Sequence, residues 1–187
     1  MNFKTFLATS IFLAPSLAFA QQNVEPQKHF SVGVASYATA IGYSDNRGDD
    51  TDGFGGLSLI ATGAINDHVA FRVIYGSQED TDDSDYSIDV REGAVLLGTG
   101  LSTQGFRAYG AIGLFSETHE YHAYRSHYEE DFSCSTIGGG LGYNWGFVTL
   151  EFWMSVRDAG DYEEKYYTRN VDDVIAMSGG LGVSARF

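Results

Sequence analysis

Residues 148–157 read Val-Thr-Leu-Glu-Phe-Trp-Met-Ser-Val-Arg, and every second side chain of this stretch is apolar. The residues between them include Glu151 and Arg157. A period of two is the pattern of a β-strand, because successive side chains of a strand point to opposite faces. The stretch therefore predicts a strand with one apolar and one largely polar face. The apolar face consists of Val148, Leu150, Phe152, Met154 and Val156.

The same period recurs in eight segments, and short turns alternate strictly with long acidic connections between them. A soluble sandwich has no reason to place all short turns at one end. Outer-membrane barrels have an even number of strands, short periplasmic turns and longer external loops. We therefore predict an all-β chain that forms an eight-stranded antiparallel transmembrane β-barrel with four longer acidic external loops. The predicted strands are 29–43, 54–64, 68–78, 87–101, 105–117, 132–144, 147–157 and 173–187, and the long loops are 44–53, 79–86, 118–131 and 158–172.

The polar face of these strands is predicted to point into the barrel. It carries arginine and glutamate among many glycines, which suits a narrow wetted lumen, so the apolar face meets lipid. About ten residues of each strand cross a bilayer, so Asp89 and Arg91 are expected above the membrane. Aromatic residues near the strand ends predict two interfacial girdles. The lower girdle is Phe30, Phe106, Tyr143, Trp145, Phe147 and Phe187, and the upper girdle is Tyr43, Tyr75 and Phe115.

Residues 1–20 have the features of a signal peptide, because a basic residue precedes an apolar run that ends in Ala-Phe-Ala. We expect 21–28 to be an N-terminal tail and 29–187 to be the outer-membrane β-barrel of a Gram-negative bacterium. Cys134 is the single cysteine, so the chain forms no intrachain disulfide. The net charge of −14 makes nucleic acid a poor partner.

Four glycine-rich segments carry a family resemblance. They are Gly-Phe-Gly-Gly-Leu-Ser-Leu from Gly53, Ala-Tyr-Gly-Ala-Ile-Gly-Leu from Ala108, Ile-Gly-Gly-Gly-Leu-Gly-Tyr from Ile137, and Gly-Leu-Gly-Val-Ser-Ala-Arg-Phe from Gly180. With the eight-segment layout, they resemble the small outer-membrane barrels of the Ail/OmpX type over essentially the whole mature chain. The last segment lacks the usual Gly-Tyr-Arg-Phe ending, so a neighbouring small-barrel family is the alternative. The resemblance implies a barrel without a cofactor that serves in adhesion, host-surface binding or resistance to host defences.

Five charged residues have the phase of the inner face. An eight-stranded barrel is just wide enough for its own side chains to fill it, so we expect no broad channel. Because an unpaired buried ion is costly, the arginines are predicted to be held by the glutamates in a polar plug. A porin-like, gated ion path is the functional alternative. The predicted lumen network is Arg72, Glu92, Arg107, Glu151 and Arg186.

The external segments, counted as 44–53, 79–86, 117–131 and 158–173, hold 20 of the 25 acidic residues. Such runs are usually solvated surface, although clustered carboxylates also suit divalent cations. Their spacing does not match a calcium loop, so no metal site is assigned. We expect a monomer whose loops act in surface binding, adhesion or envelope integrity, with outer-membrane lipids, lipopolysaccharide and host or environmental surface ligands as partners. The external acidic residues are Asp49, Asp50, Asp52, Glu79, Asp80, Asp82, Asp83, Glu129, Glu130, Asp131, Glu163 and Glu164.

A lipid A-modifying outer-membrane enzyme is the alternative from a different class. Ser126 and His127 are adjacent, and neighbours in a strand point to opposite faces. Ser116 with His119, or Ser133 with a loop histidine, would meet only through the geometry of the loops. The loop histidines have no spacing typical of a zinc site. We therefore predict a protein without catalytic residues or a cofactor.

Overall fold

The computed structural model describes residues 27–45, 48–81, 86–123, 126–160 and 171–187. Within these ranges no helix is long and apolar enough to span a membrane. Each strand pairs antiparallel with the next one in the chain, and β8 pairs with β1 to close the barrel. The strands are β1 (Phe30–Asp45), β2 (Gly48–Ala64), β3 (Val69–Asp80), β4 (Tyr86–Thr99), β5 (Gly105–Ala123), β6 (Ser126–Trp145), β7 (Val148–Arg157) and β8 (Val171–Arg186).

The end of the barrel with the three short turns is called the inner end, and the opposite end is the outer end. At the outer end, segments 44–53 and 118–131 are not the loops that we predicted. β1 pairs with β2 as far as Asp45 and Gly48, and β5 pairs with β6 as far as Ala123 and Ser126. The apolar alternation stops before the strands do, because a strand in water needs no apolar face. The periodicity therefore marked the apolar part of each strand and missed its polar extension.

The outward face of the barrel is apolar, as the sequence predicts. On β3, Phe71, Val73 and Tyr75 are each at least half exposed, while Arg72 and Ile74 between them are buried. The same alternation runs along β7. So large a continuous apolar surface is not typical of a soluble protein and suits contact with lipid.

The outward face changes from apolar to polar at a definite level near the outer end. On β3, for example, the aromatic Tyr75 is followed by Ser77, and on β5 Leu114 is followed by Ser116. We call this level the upper boundary. The first exposed polar residues above the apolar band on β3 to β7 are Ser77, Arg91, Ser116, Ser135 and Asp158.

The aromatic girdles agree with the prediction at the inner end and differ from it at the outer end. All six residues of the lower girdle are exposed. In the upper girdle Tyr75 is exposed, whereas Tyr43 is half-buried and donates a hydrogen bond to Asp52. Phe115 is only 3% exposed and points into the lumen, so its assignment to the girdle was wrong. It shares the inward phase of Tyr109 on the same strand.

Inward-facing glycines make room for large side chains in the lumen. A Cβ atom on Gly140 would lie 2.3 Å from the Tyr109 hydroxyl oxygen, and one on Gly180 would lie 2.7 Å from the Trp153 ring. Real Cβ atoms do not approach other atoms so closely. The glycines of β6 and β8 therefore allow rings and guanidinium groups to fill a barrel of this width.

Candidate functional site

Four buried side chains form an ionic network in the inner half of the lumen. Arg72 Nη2 lies 2.6 Å from Glu151 Oε2, and Arg107 Nη2 lies 3.6 Å from the same oxygen. The Tyr109 hydroxyl donates to Glu151 Oε2 at 3.1 Å and accepts from Arg72 Nη1 at 2.7 Å. We call Arg72, Arg107, Tyr109 and Glu151 the lower cluster. One carboxylate therefore serves two guanidinium groups.

Aromatic rings supplement that single carboxylate. The Arg72 guanidinium lies 5.0 Å from the Tyr109 ring centroid and 5.4 Å from that of Trp153. The Arg107 guanidinium lies 5.3 Å from the Tyr109 centroid. Cation–π contacts of this length stabilise a cation that has lost its water. The excess positive charge of the lower cluster is thus partly compensated by ring faces.

Arg186 does not pair with a glutamate, in contrast to the prediction. Its Nη2 donates to the carbonyl oxygens of Ser102 at 2.9 Å and Thr103 at 3.1 Å. This is possible because the β4–β5 turn folds across the inner end of the lumen, where Leu101 and Ser102 are buried. Asn144 Nδ2 holds the same turn through the carbonyl oxygens of Gly100 and Thr103. The turn therefore forms a floor under the lower cluster.

Asp67, in the β2–β3 turn, binds this floor from the side. Its carboxylate accepts hydrogen bonds from the backbone amides of Gly100, Ser102 and Thr103, and from the Thr103 hydroxyl at 2.7 Å. Partial burial alone would raise the pKa of Asp67, but these donors hold it below the ordinary value. Gly100 adopts a φ of +73°, which favours glycine at the start of this turn. No local pattern in the sequence indicates that these two separate turns meet.

A second ionic network lies in the outer half of the lumen. Arg157 Nη1 donates to Glu117 Oε2, and His119 Nε2 lies 3.0 Å from Glu117 Oε1. Arg157 Nη2 also donates to the Tyr37 hydroxyl at 3.1 Å, which in turn donates to Glu92 Oε2 at 2.9 Å. We call Tyr37, Glu92, Glu117, His119 and Arg157 the upper cluster. All five side chains are buried.

The upper cluster corrects two assignments made from the sequence. Glu117 and His119 were placed in an external segment, yet they are 1% and 2% exposed inside the barrel. Their odd numbering matches the inward phase of Arg107 and Tyr109, a signal that was available on β5. Glu92 points inward as expected, but its hydrogen bond is with Tyr37 and not with a predicted arginine.

Aromatic rings cover the upper cluster from the outer end. His119 lies between Phe54 and Phe132, with ring centroids 5.9 and 4.5 Å away, and the Tyr86 hydroxyl contacts its Nδ1. Phe54 and Phe132 are each 2% exposed. Floor, clusters and rings together fill the described lumen, and the cavity beside Arg107 and Arg186 measures only about 10 Å³. That volume is close to the minimum for one water molecule.

The external acidic residues divide into those that the structure describes and those that it does not. Asp52, Glu79, Asp80, Glu130 and Asp131 are described, and Asp131 accepts a hydrogen bond from Thr118 at 2.8 Å. The described residues contain no group of three or more metal-ligating side chains. Outside the described residues or side chains lie Asp49, Asp50, Asp82, Asp83, Glu129, Glu163 and Glu164.

Where the structure describes both side chains, the serine and the histidine considered for catalysis are separated by the barrel wall. Ser116 and Ser133 are exposed on the outer surface, whereas His119 is buried in the lumen. The side chains of Ser126 and His127 lie outside the description. Among the described residues, these candidates therefore provide no nucleophile and base within hydrogen-bond reach.

Solved structures with a similar fold decide the architecture. Neisserial surface protein A is 16% identical, and the match covers 87% of this chain and 100% of that one with a TM-score of 0.59. The N-terminal barrel of OprF from Pseudomonas aeruginosa is 16% identical over 86% and 99% of the two chains, with a TM-score of 0.56. The fold is that of the eight-stranded outer-membrane barrels.

Ail from Yersinia pestis matches with a TM-score of 0.53 and 15% identity, covering 86% of this chain and 99% of that one. The predicted resemblance to barrels of the Ail/OmpX type is therefore confirmed at the level of the fold. No protein-family model matches the sequence, and no curated protein matches it either.

Proposed function

We propose that this chain is an outer-membrane barrel protein that acts in surface binding through its outer hairpins. These are the strand pairs β1–β2, β3–β4, β5–β6 and β7–β8 where they meet at the outer end. The observation that carries the proposal is the contrast between a filled lumen and two long strands, β5 and β6, that remain paired beyond the upper boundary. A filled lumen offers no space for a ligand, and the apolar wall suits acyl chains. The outer hairpins are the surface that remains for a partner outside the membrane.

The proposed location is the outer membrane of a Gram-negative bacterium, with the short turns in the periplasm. The exposed apolar band supports it, because burial in lipid removes that surface from water. We further propose that residues 1–20 direct export, that 21–28 form a tail and that the barrel is a monomer. A closed barrel has no free strand edge through which copies would pair.

The charge of the outer surface defines the class of partner. Described acidic side chains that are exposed on the outer surface include Glu79 and Asp131, and the whole chain carries a net charge of −14. One structure of Ail is a complex with sucrose octasulfate, described there as a heparin analogue. Such a polyanion is a poor ligand for an acidic surface. We infer that the hairpins bind a cationic surface, or an anionic one through bridging cations.

Attachment of cells to polylysine-coated and uncharged surfaces tests this proposal. Replacing 121–128 with a short Gly-Ser turn removes the tip of the β5–β6 hairpin but keeps Glu117 and His119 in the lumen. We expect this variant to lose attachment to polylysine. The matched control keeps the full hairpin and neutralises Glu120 and Asp131, which have the outward phase, and its attachment should weaken and lose its salt dependence.

Two results would contradict the proposal. If cells that carry the shortened hairpin attach as well as wild-type cells, the β5–β6 hairpin is not needed for binding. If attachment strengthens as salt rises, binding is not electrostatic. A lost acyl chain in lipid A from cells that express the protein would favour a lipid-modifying enzyme instead.

A further inference from the structure

Arg91 is the one exposed arginine or lysine among the residues that the structure describes. The other four described arginines are buried in the lumen, and Lys28 is half-buried at the inner end, where it donates to a backbone carbonyl. Arg91 has no hydrogen-bond or ion-pair partner within the described residues. A guanidinium group presents five donors to an anion and stays charged at any physiological pH.

A groove on the outer wall lies beside this arginine. It has a volume of about 740 Å³ and is lined by residues of β3, β4, β5 and β6. Gly93 forms its floor, because a Cβ atom at this position would meet no atom within 4 Å. Val73 and Leu114 contribute apolar surface, and both are more than half exposed. The groove is thus a gap in the side-chain layer of the wall, open to the outside.

Most outward-facing polar side chains of the groove lie at its outer end, whereas Ser135 pairs in register with Leu114 and donates a hydrogen bond to Asp158. Arg91 pairs in register with Tyr75 on β3 and with Ser116 on β5, and Ser116 pairs with Ser133 on β6. Arg91 and Ser116 belong to the upper boundary, where the apolar band ends. A ligand that fills this groove must therefore carry an anion at one end and an apolar body that extends toward the inner end.

We propose that the groove binds one phosphorylated glycolipid of the lipid A class from the outer leaflet, with its phosphate on Arg91 and an acyl chain over Gly93. The proposal rests on the proposed location in the outer membrane. Guanidinium groups bind phosphate through paired, charge-assisted hydrogen bonds. The hydroxyl of Ser116 lines the same side of the groove and supplies a further donor.

The surrounding charges restrict the site to one phosphate. On the outward face of β4, Asp89 is the next residue beyond Arg91 toward the outer end. Asp158 is exposed at the upper boundary of β7. These carboxylates oppose a broad belt of anionic headgroups. A second outer groove of about 790 Å³ is lined mainly by residues of β1, β2, β7 and β8, and none of its lining residues is charged. This second groove is therefore a control for the first one, because it offers a lipid apolar contact but no cation.

The test is a titration of the full refolded barrel with lipid A in detergent micelles, followed by native mass spectrometry. Arg91→Gln should weaken binding of diphosphorylated lipid A about tenfold, and Arg91→Lys should restore much of it. Gly93→Leu should also weaken binding, because the new side chain enters the groove at a position where a Cβ atom meets no neighbour within 4 Å. The matched control is Gly55→Leu in the second groove, where a Cβ atom likewise meets nothing within 4 Å.

Two further arms identify the source of the phosphate. Dephosphorylated lipid A should bind wild type and Arg91→Gln equally, and inorganic phosphate at millimolar concentration should not displace the glycolipid. Equal binding of diphosphorylated lipid A by wild type and Arg91→Gln would overturn the proposal, as would displacement by free phosphate. A gel-mobility shift on boiling reports barrel formation in the same samples. A wild-type chain without that shift contradicts the membrane proposal itself, whereas a shift without lipid selectivity contradicts only the groove.

Discussion

The two ionic clusters of the lumen use the same kinds of side chain in opposite proportions. The lower cluster places two arginines around one carboxylate, Glu151, whereas the upper cluster places two glutamates and His119 around one arginine, Arg157. In each cluster one residue is therefore the scarce partner. Because a buried charge without a partner is costly, loss of the scarce partner should destabilise the barrel more than loss of an abundant one.

The largest effect is expected at Glu151. Glu151→Ala leaves Arg72 and Arg107 in the lumen without their shared carboxylate, and we expect a loss of about 3–5 kcal/mol in the free energy of unfolding. Urea unfolding of the barrel in phospholipid vesicles measures it. The matched control is Glu79→Gln on the exposed outer surface, which should change stability by less than about 0.5 kcal/mol. Equal effects of the two substitutions would show that the lower cluster has no energetic importance.

A smaller loss is expected at Arg157, the scarce partner of the upper cluster. Arg157→Ala should cost about 2–3 kcal/mol in the same unfolding measurement, since Glu117 keeps its contact with His119 and Glu92 keeps the Tyr37 hydroxyl. If Arg157→Ala destabilises the barrel more than Glu151→Ala, the ranking of the two clusters is wrong.

The comparison also shows what sequence periodicity can and cannot predict. Periodicity correctly predicts an inward side chain where its neighbours on the strand are apolar and point outward, as for Arg72 between Phe71 and Val73. Glu117 and His119 have the same inward phase, but their outward neighbours are polar because that part of β5 lies beyond the apolar band. The inward phase of Arg107 and Tyr109 extends to these two residues, but without an apolar outward face it does not show where the strand ends, and so the sequence predicts a loop over 118–131.

Partner choice inside the lumen could not be predicted for a different reason. Arg186 was expected to bind a glutamate, and it binds backbone carbonyls of the β4–β5 turn instead. The inward fold of that turn depends on contacts with Asp67 and Asn144, which lie on other strands or turns. Contacts between residues so distant in the chain leave no local pattern in the sequence.

A smaller, pH-dependent effect on stability is expected at Asp67, which holds the floor from outside the lumen. Because the folded state lowers the pKa of Asp67 below 3.8, its carboxylate stabilises the barrel above that pH, and the contribution is lost as the pH falls through the lowered pKa. The stability difference between wild type and Asp67→Asn should be constant near pH 7 and shrink below about pH 4. A difference that grows on acidification would contradict the hydrogen-bond geometry.

The smallest effect is expected for an abundant partner. Arg107 Nε and Nη2 have no hydrogen-bond partner in the described part of the lumen. Arg107→Met keeps most of the side-chain volume and leaves Glu151 paired with Arg72. The free energy of unfolding should therefore fall by less than about 1 kcal/mol, or rise. A loss comparable to that of Glu151→Ala would mean that both arginines are needed and that the lower cluster has no excess charge.

Single-channel recording of the wild-type barrel in a planar bilayer tests the central claim most directly, which is that two clusters, a floor and a layer of rings close the lumen. Insertion is verified beforehand by the mobility shift on boiling of the same sample. The filled lumen predicts a flat current trace without unitary openings. The recording is made at potentials at which a control bilayer without protein passes no current. Steady unitary openings in wild type would show a continuous water path and would favour the porin-like alternative over surface binding.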